Sequence, residues 1–199
     1  MARSLLTCTP NLPLMLICFL YAQISTGTAT ATATAGGPVS NEFIKASCNV
    51  TLYQELCVAS LTPYASIIQE SHRKLAFTAL AVSVKSGKSM KEYVGQLAKT
   101  SGPKAKEYPA LTDCMTEVDE GVDRMTKSLK ELKYSGPDFK LHLSNLQTWV
   151  SAALTDETTC TDGFSGRALN GTTKNCIIQE MTKVTQATSN ALALCNTLG

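Results

Sequence analysis

The sequence predicts an all-α protein, an up-down-up-down four-helix bundle preceded by a disulfide-stapled N-terminal helical hairpin. Three observations carry that expectation. Leu111, Met115, Val118, Val122, Met125, Leu129 and Leu132 recur alternately four and three apart, the seam of a helix packed among other helices, and no strand pattern fits them. Gly102-Pro103 and Gly136-Pro137 stop such stretches and leave only short connections, so consecutive helices must run antiparallel. Ahead of the first long stretch, Cys48 and Cys57 stand nine positions apart in a short helical segment, where a bridge would close a small loop.

The elements follow in order. Arg3 precedes the apolar run Leu14 to Ala22, and small residues follow from Ser25 onward, the layout of a secretory signal peptide over residues 1–30 with cleavage at about 25–31. The run is too short to span a bilayer. Residues 31–40 read as a flexible Thr/Ala/Gly leader. The folded domain is then 41–199, enough for a single core. Asn41 to about Pro63 reads as a hairpin of short helices held by Cys48 and Cys57. A loop of that size closed by a bridge gains about 2.5 to 3 kcal/mol on the chain-entropy model.

From about Ala65 to Thr100, Ile68, Leu75, Phe77, Leu80, Val84, Met90, Val94 and Leu97 keep helical spacing, with Gly87 a weak point and a candidate kink. The next helix is expected from near Lys104 to the stop at Tyr134 to Pro137. The third long helix runs from Asp138 to about Cys160, with Leu143, Leu146, Val150, Ala153 and Leu154 inward and Trp149 at its side. A glycine-rich loop over 161–171 leads to a last helix whose seam is Ile177, Met181, Val184, Thr188, Ala191, Cys195 and Leu198.

Of eight cysteines, Cys8 and Cys18 would leave with the signal peptide. The six that remain allow fifteen full pairings, and an oxidising compartment favours disulfides over thiols. Cys176 and Cys195 would lie roughly 28 Å apart on one helix and cannot bond to each other. Cys195 falls in the seam and reads as a buried free thiol, while Cys176 lies off the seam and its state, thiol or disulfide, is left open by the sequence. In the antiparallel bundle Cys114 and Cys160 can meet, closing a loop of about 46 residues worth about 4 kcal/mol.

The 18 Lys plus Arg and 16 Asp plus Glu nearly cancel, which gives no footprint for nucleic acid. The charges are nevertheless segregated. Lys85, Lys88, Lys91, Lys99, Lys104 and Lys106 crowd one stretch, while Asp113, Glu117, Asp119, Glu120 and Asp123 follow without a base among them. A solvated helix face is the ordinary explanation; a partner of opposite charge is the sharper one.

Catalytic chemistry is hard to assemble. His72 and His142 are the two histidines, and neither has a nucleophile or acid in a recognisable arrangement. Gly163-Phe164-Ser165-Gly166-Arg167 fails as a nucleophile elbow because its fifth position is Arg167 and no strand precedes it. The cysteines lack the close pairs of a zinc site, and no phosphate-binding glycine loop is present. No cofactor or metal is expected. Two sequons, Asn49-Val50-Thr51 and Asn170-Gly171-Thr172, are candidate glycosylation sites, with Asn170 the more accessible and Asn49 hindered inside the small loop.

The chain resembles the plant invertase and pectin methylesterase inhibitor family. The resemblance rests on the Cys48 to Cys57 spacing, on Tyr108-Pro109-Ala110-Leu111-Thr112-Asp113-Cys114, on Val150 through Phe164, and on Thr188 to Leu194. It implies the hairpin bridge Cys48 to Cys57, the bundle bridge Cys114 to Cys160, and a secreted, extracellular inhibitor of the cell wall that is not an enzyme. The implied partner is pectin methylesterase, its shallow active-site cleft occluded by helices of the bundle, with acid invertase as the alternative target. By position after the matching cysteines the resemblance assigns target contacts to Glu120, Asp123, Thr159 and Asp162, with Asp156 nearby. Some invertase inhibitors carry a Pro-Lys-Phe stretch; here Pro137-Asp138-Phe139 reverses the charge, which tilts the reading toward the esterase.

Overall fold

The computed structural model describes residues 38–102, 104–165 and 171–199, together with Cys8. The expected signal peptide apart from Cys8, residues 31–37 of the leader and the sequon residue Asn170 therefore lie outside the described residues. The helices are α1 (Pro38–Cys48), α2 (Gln54–Leu61), α3 (Ala65–Ile68), α4 (His72–Ser101), α5 (Tyr108–Glu131), α6 (Phe139–Asp162) and α7 (Thr172–Asn196), with a 3-10 turn at Thr62–Tyr64 between α2 and α3. The last four form the bundle: α5 packs against α4 and α6, and α7 closes the ring against α4 and α6. Among the described residues no helix is long and apolar enough to cross a membrane.

The N-terminal hairpin is α1 and α2, joined by the Cys48–Cys57 bridge with Cα atoms 5.8 Å apart. Thr51 tightens the turn by donating its hydroxyl to the Cys48 carbonyl at 2.7 Å. The hairpin is pinned to the bundle by Asn190 of α7. Its side-chain oxygen accepts from the Tyr53 N–H at 3.1 Å and its amide donates to the Tyr53 carbonyl at 2.8 Å. One side chain thereby satisfies both backbone groups of a residue outside any helix. Ile44, Leu61, Ile68, Leu75 and Leu80 continue the core from the hairpin into the bundle, where they join Leu146, Val150 and Leu194.

Several boundaries differ from the sequence expectation. Helix α1 begins at Pro38, inside the stretch expected to be a flexible leader, because proline's fixed φ and missing N–H suit a first helical turn. The continuous helix expected from Ala65 to Thr100 is broken. Gln69 adopts φ 55°, ending α3, and Ser71 starts α4 as an extended N-cap whose hydroxyl accepts from the Lys74 N–H at 3.3 Å. Helix α5 starts at Tyr108, not near Lys104, with Pro109 in its first turn.

Gly87 does not break α4, which is helical throughout His72–Ser101. A Cβ at that position would stand 2.7 Å from Val122 Cγ2. The glycine is what lets α4 and α5 approach closely. Cys195 is the buried free thiol expected, and burial pushes it up to about 12. Cys176, whose state the sequence left open, is buried near the start of α7, beside the core residue Ile177, and is disulfide-bonded.

Candidate docking face on α5 and α6

The second turn of α5 is tied to the last turns of α6 by the Cys114–Cys160 bridge, with Cα atoms 4.2 Å apart. Seven residues further along α5, Gly121 is buried against α6, where an added Cβ would stand 3.7 Å from both the Ala153 carbonyl oxygen and Asp156 Cβ. These two contacts fix the antiparallel register. The pair is held near its end by a covalent bond and at its middle by close backbone approach, so the surface it presents is stiff.

Arg124 organises that surface. Its Nε donates to Asp156 Oδ2 at 2.7 Å across the helix pair, and its Nη2 donates to Glu120 Oε2 at 2.9 Å along α5. Asp156 is 7% exposed, so its carboxylate is turned inward to hold Arg124. Burial pushes the Asp156 carboxyl above its ordinary range while the guanidinium pulls it down. Glu117 lies beside them and is raised by burial and by the neighbouring Asp156 and Glu120 carboxylates.

The other flank of α5 faces α4. Asp119 pairs there with Lys91, and Asp123 pairs with Lys127 at 2.7 Å on its own helix. The Lys127 hydrogen bond holds Asp123 below the usual carboxylate range. The Lys127 ammonium also stands 5.0 Å from the centre of the half-buried Trp149 ring, the side position expected for that tryptophan. Asp119, Glu120, Asp123, Arg124 and Lys127 border a shallow depression of about 460 Å³.

The five residues singled out by the resemblance are therefore not one cluster. Glu120 and Asp123 are exposed and share the depression, and Asp156 is joined to Glu120 through Arg124. Thr159 and Asp162 are exposed near the bridge on the final turns of α6, with the Thr159 hydroxyl donating to the Thr155 carbonyl at 2.9 Å. The register places Asp162 roughly 16 Å from Asp123 along the bundle axis. The arrangement is an extended strip of carboxylates and hydroxyls. Asn49, expected to be hindered, is exposed at the hairpin turn.

The sequence reading passed over Arg124 and Glu157. Glu157 is 2% exposed between α6 and α7 and accepts a hydrogen bond from the Thr188 hydroxyl at 2.7 Å, while its Oε2 has no partner among the described residues. Burial pushes its carboxyl up to about 7. Its signal was present: Val150, Ala153, Glu157 and Cys160 share the inward spacing of α6, so Glu157 occupies a core position. Among the described residues no group of three His, Cys, Asp or Glu side chains could hold a metal ion.

Together the fold and this strip define a class: a cross-braced helical bundle that offers a preformed polar face between two bridged helices. The chain belongs to the plant invertase/pectin methylesterase inhibitor family, whose model matches residues 42–194. It is 47% identical over 164 residues to pectinesterase inhibitor 9 of Arabidopsis thaliana, covering 79% of this chain and 80% of that one. Pectinesterase inhibitor 11 of the same plant is 46% identical over 159 residues, covering 77% and 79%. A "21 kDa protein" of Daucus carota is 44% identical over 166 residues, covering 81% and 86%. The fold is similar to the crystal structure of a mutant form of a pectin methylesterase inhibitor from Arabidopsis, with a TM-score of 0.60, 17% identity, and coverage of 75% of this chain and 92% of that one.

Proposed function

We propose that the protein is a secreted inhibitor of pectin methylesterase that acts in the cell wall by laying the α5–α6 face over the enzyme's active-site cleft. The observation that carries the mechanism is the bridge-held helix pair, with Glu120, Asp123, Thr159 and Asp162 exposed along one stiff strip. A face that is already rigid loses little conformational freedom on docking, and an extended strip suits a long, shallow cleft. The choice of pectin methylesterase over invertase is supported by the names of the relatives, which call them pectinesterase inhibitors. Asp156 is read as a positioning residue. Buried beneath Arg124, it sets the guanidinium that in turn orients Glu120. The protein itself is read as catalysing nothing.

The test is a paired assay of purified protein against several plant pectin methylesterases and against cell-wall and vacuolar invertases at mildly acidic pH. Stoichiometric loss of esterase activity, with invertase unaffected, is the expected result. Esterases that stay fully active at micromolar excess of the protein would remove the reading, and selective loss of invertase activity would transfer it to that enzyme.

A further inference from the structure

The outer face of α4, next to α5, carries a second charged surface. Lys85, Lys88 and Lys99 project from α4, and Lys104 and Lys106 follow just beyond its C-terminal end; all five are exposed. At 100° per residue the core positions Val84, Gly87, Met90, Val94 and Ala98 take one side of α4, and the three helix lysines fall on the other. They span roughly 21 Å of one rigid rod. Among the described residues these five cations make no ion pair, a property Lys130, Lys133, Lys140 and Lys174 share; what sets the five apart is their succession along one helix face and its C-terminal connection. Glu92 on the same outer face and Glu107 at the end of the connection are the acids interspersed with them.

We propose that this lysine stripe binds the carboxylate polymer that remains when pectin loses its methyl esters. The proposal rests on the reading of the protein as an inhibitor working in a pectin-containing wall. A single exposed lysine gains little from one carboxylate in water. Several unpaired lysines along a rigid helix meet a regularly charged chain at many points at once, and each added contact is made at high local concentration. A uronate polymer fits better than nucleic acid, since residues 85–106 hold no arginine and their single aromatic, Tyr93, is half-buried, so neither bidentate base contacts nor a stacking platform is offered. Within the bundle α4 packs mainly on α5 and α7, and its three stripe lysines lie on residues other than those that line the α5–α6 depression. The inhibitor is thereby retained on the product of the enzyme it restrains.

The experiment measures binding of the purified protein to polygalacturonate and to fully methylesterified pectin, at low and high salt, beside the triple variant Lys85→Gln, Lys88→Gln and Lys99→Gln. The native protein should bind polygalacturonate, release it as salt screens the charges, and ignore the esterified polymer. The triple variant should bind at least about tenfold more weakly, with unchanged circular dichroism. Absence of binding at low salt, equal binding to the esterified polymer, or undiminished binding by the triple variant would each overturn the proposal. The same preparations are assayed against pectin methylesterase. Inhibition without polymer binding removes the stripe alone, and polymer binding without inhibition removes the functional reading while leaving the stripe.

Discussion

Glu157 sets how the bundle responds to pH. Its carboxyl has an ordinary value of 4.5 and is pushed up to about 7 by burial, so the folded state holds the proton more tightly than the unfolded chain. The stability that depends on neutral Glu157 is fully present below about pH 4.5 and is lost as pH rises through about 7, a change on the order of 3 kcal/mol. Thermal unfolding followed from acidic to neutral pH should show this decline, and Glu157→Gln should flatten it. A profile in the variant as steep as in the native protein would assign the pH response to other groups. Arg124 makes the complementary case. Removing it by Arg124→Ala leaves Asp156 buried without its cation, so denaturant unfolding should show a loss of about 2 kcal/mol, and Glu120 should lose its orientation. Periodicity puts Glu157 on the core face of α6 but does not mark Arg124. Arg124 lies outside the α5 seam, and its meaning depends on a partner thirty-two residues away on another helix.

At the scale of elements, the apolar periodicity was enough to place the four long helices, and the antiparallel arrangement it implied brings Cys114 to Cys160 as expected. What periodicity could not show is how the ends are made. The apolar positions run through Ile68 and Leu75 without interruption, yet the chain breaks between them because Gln69 turns into the left-handed region and Ser71 caps the next helix. Gly87 was legible as a weak helix former but not as a contact, since its role depends on Val122 across the interface. Gly87→Ala should therefore destabilise by about 1 to 3 kcal/mol through crowding, against the gain a helix-interior alanine would otherwise give. A rise in melting temperature would show that α4 and α5 have room to separate. Asn190 carries the hairpin, and Asn190→Ala should expose the Tyr53 backbone. Amide exchange across residues 38–61 should accelerate while exchange in the centre of α5 and α6 stays protected.

For the molecule as a whole, the bundle is a frame that presents two charged surfaces: a carboxylate and hydroxyl strip on α5 and α6, and a lysine stripe on the outer face of α4. The strip came from the family resemblance, because exposed acids look alike in sequence whether they meet water or a partner. Only the structure separates Glu120, tied to Arg124, from Asp156, sealed beneath it. The most direct measurement of the central claim is inhibition of pectin methylesterase by the native protein and by a variant carrying Glu120→Lys and Asp123→Lys together. The native protein should abolish esterase activity at stoichiometric ratio, and the variant should bind markedly more weakly with helicity and melting nearly unchanged. Inhibition by the variant at native strength would contradict the account, because the enzyme would then be meeting some other face.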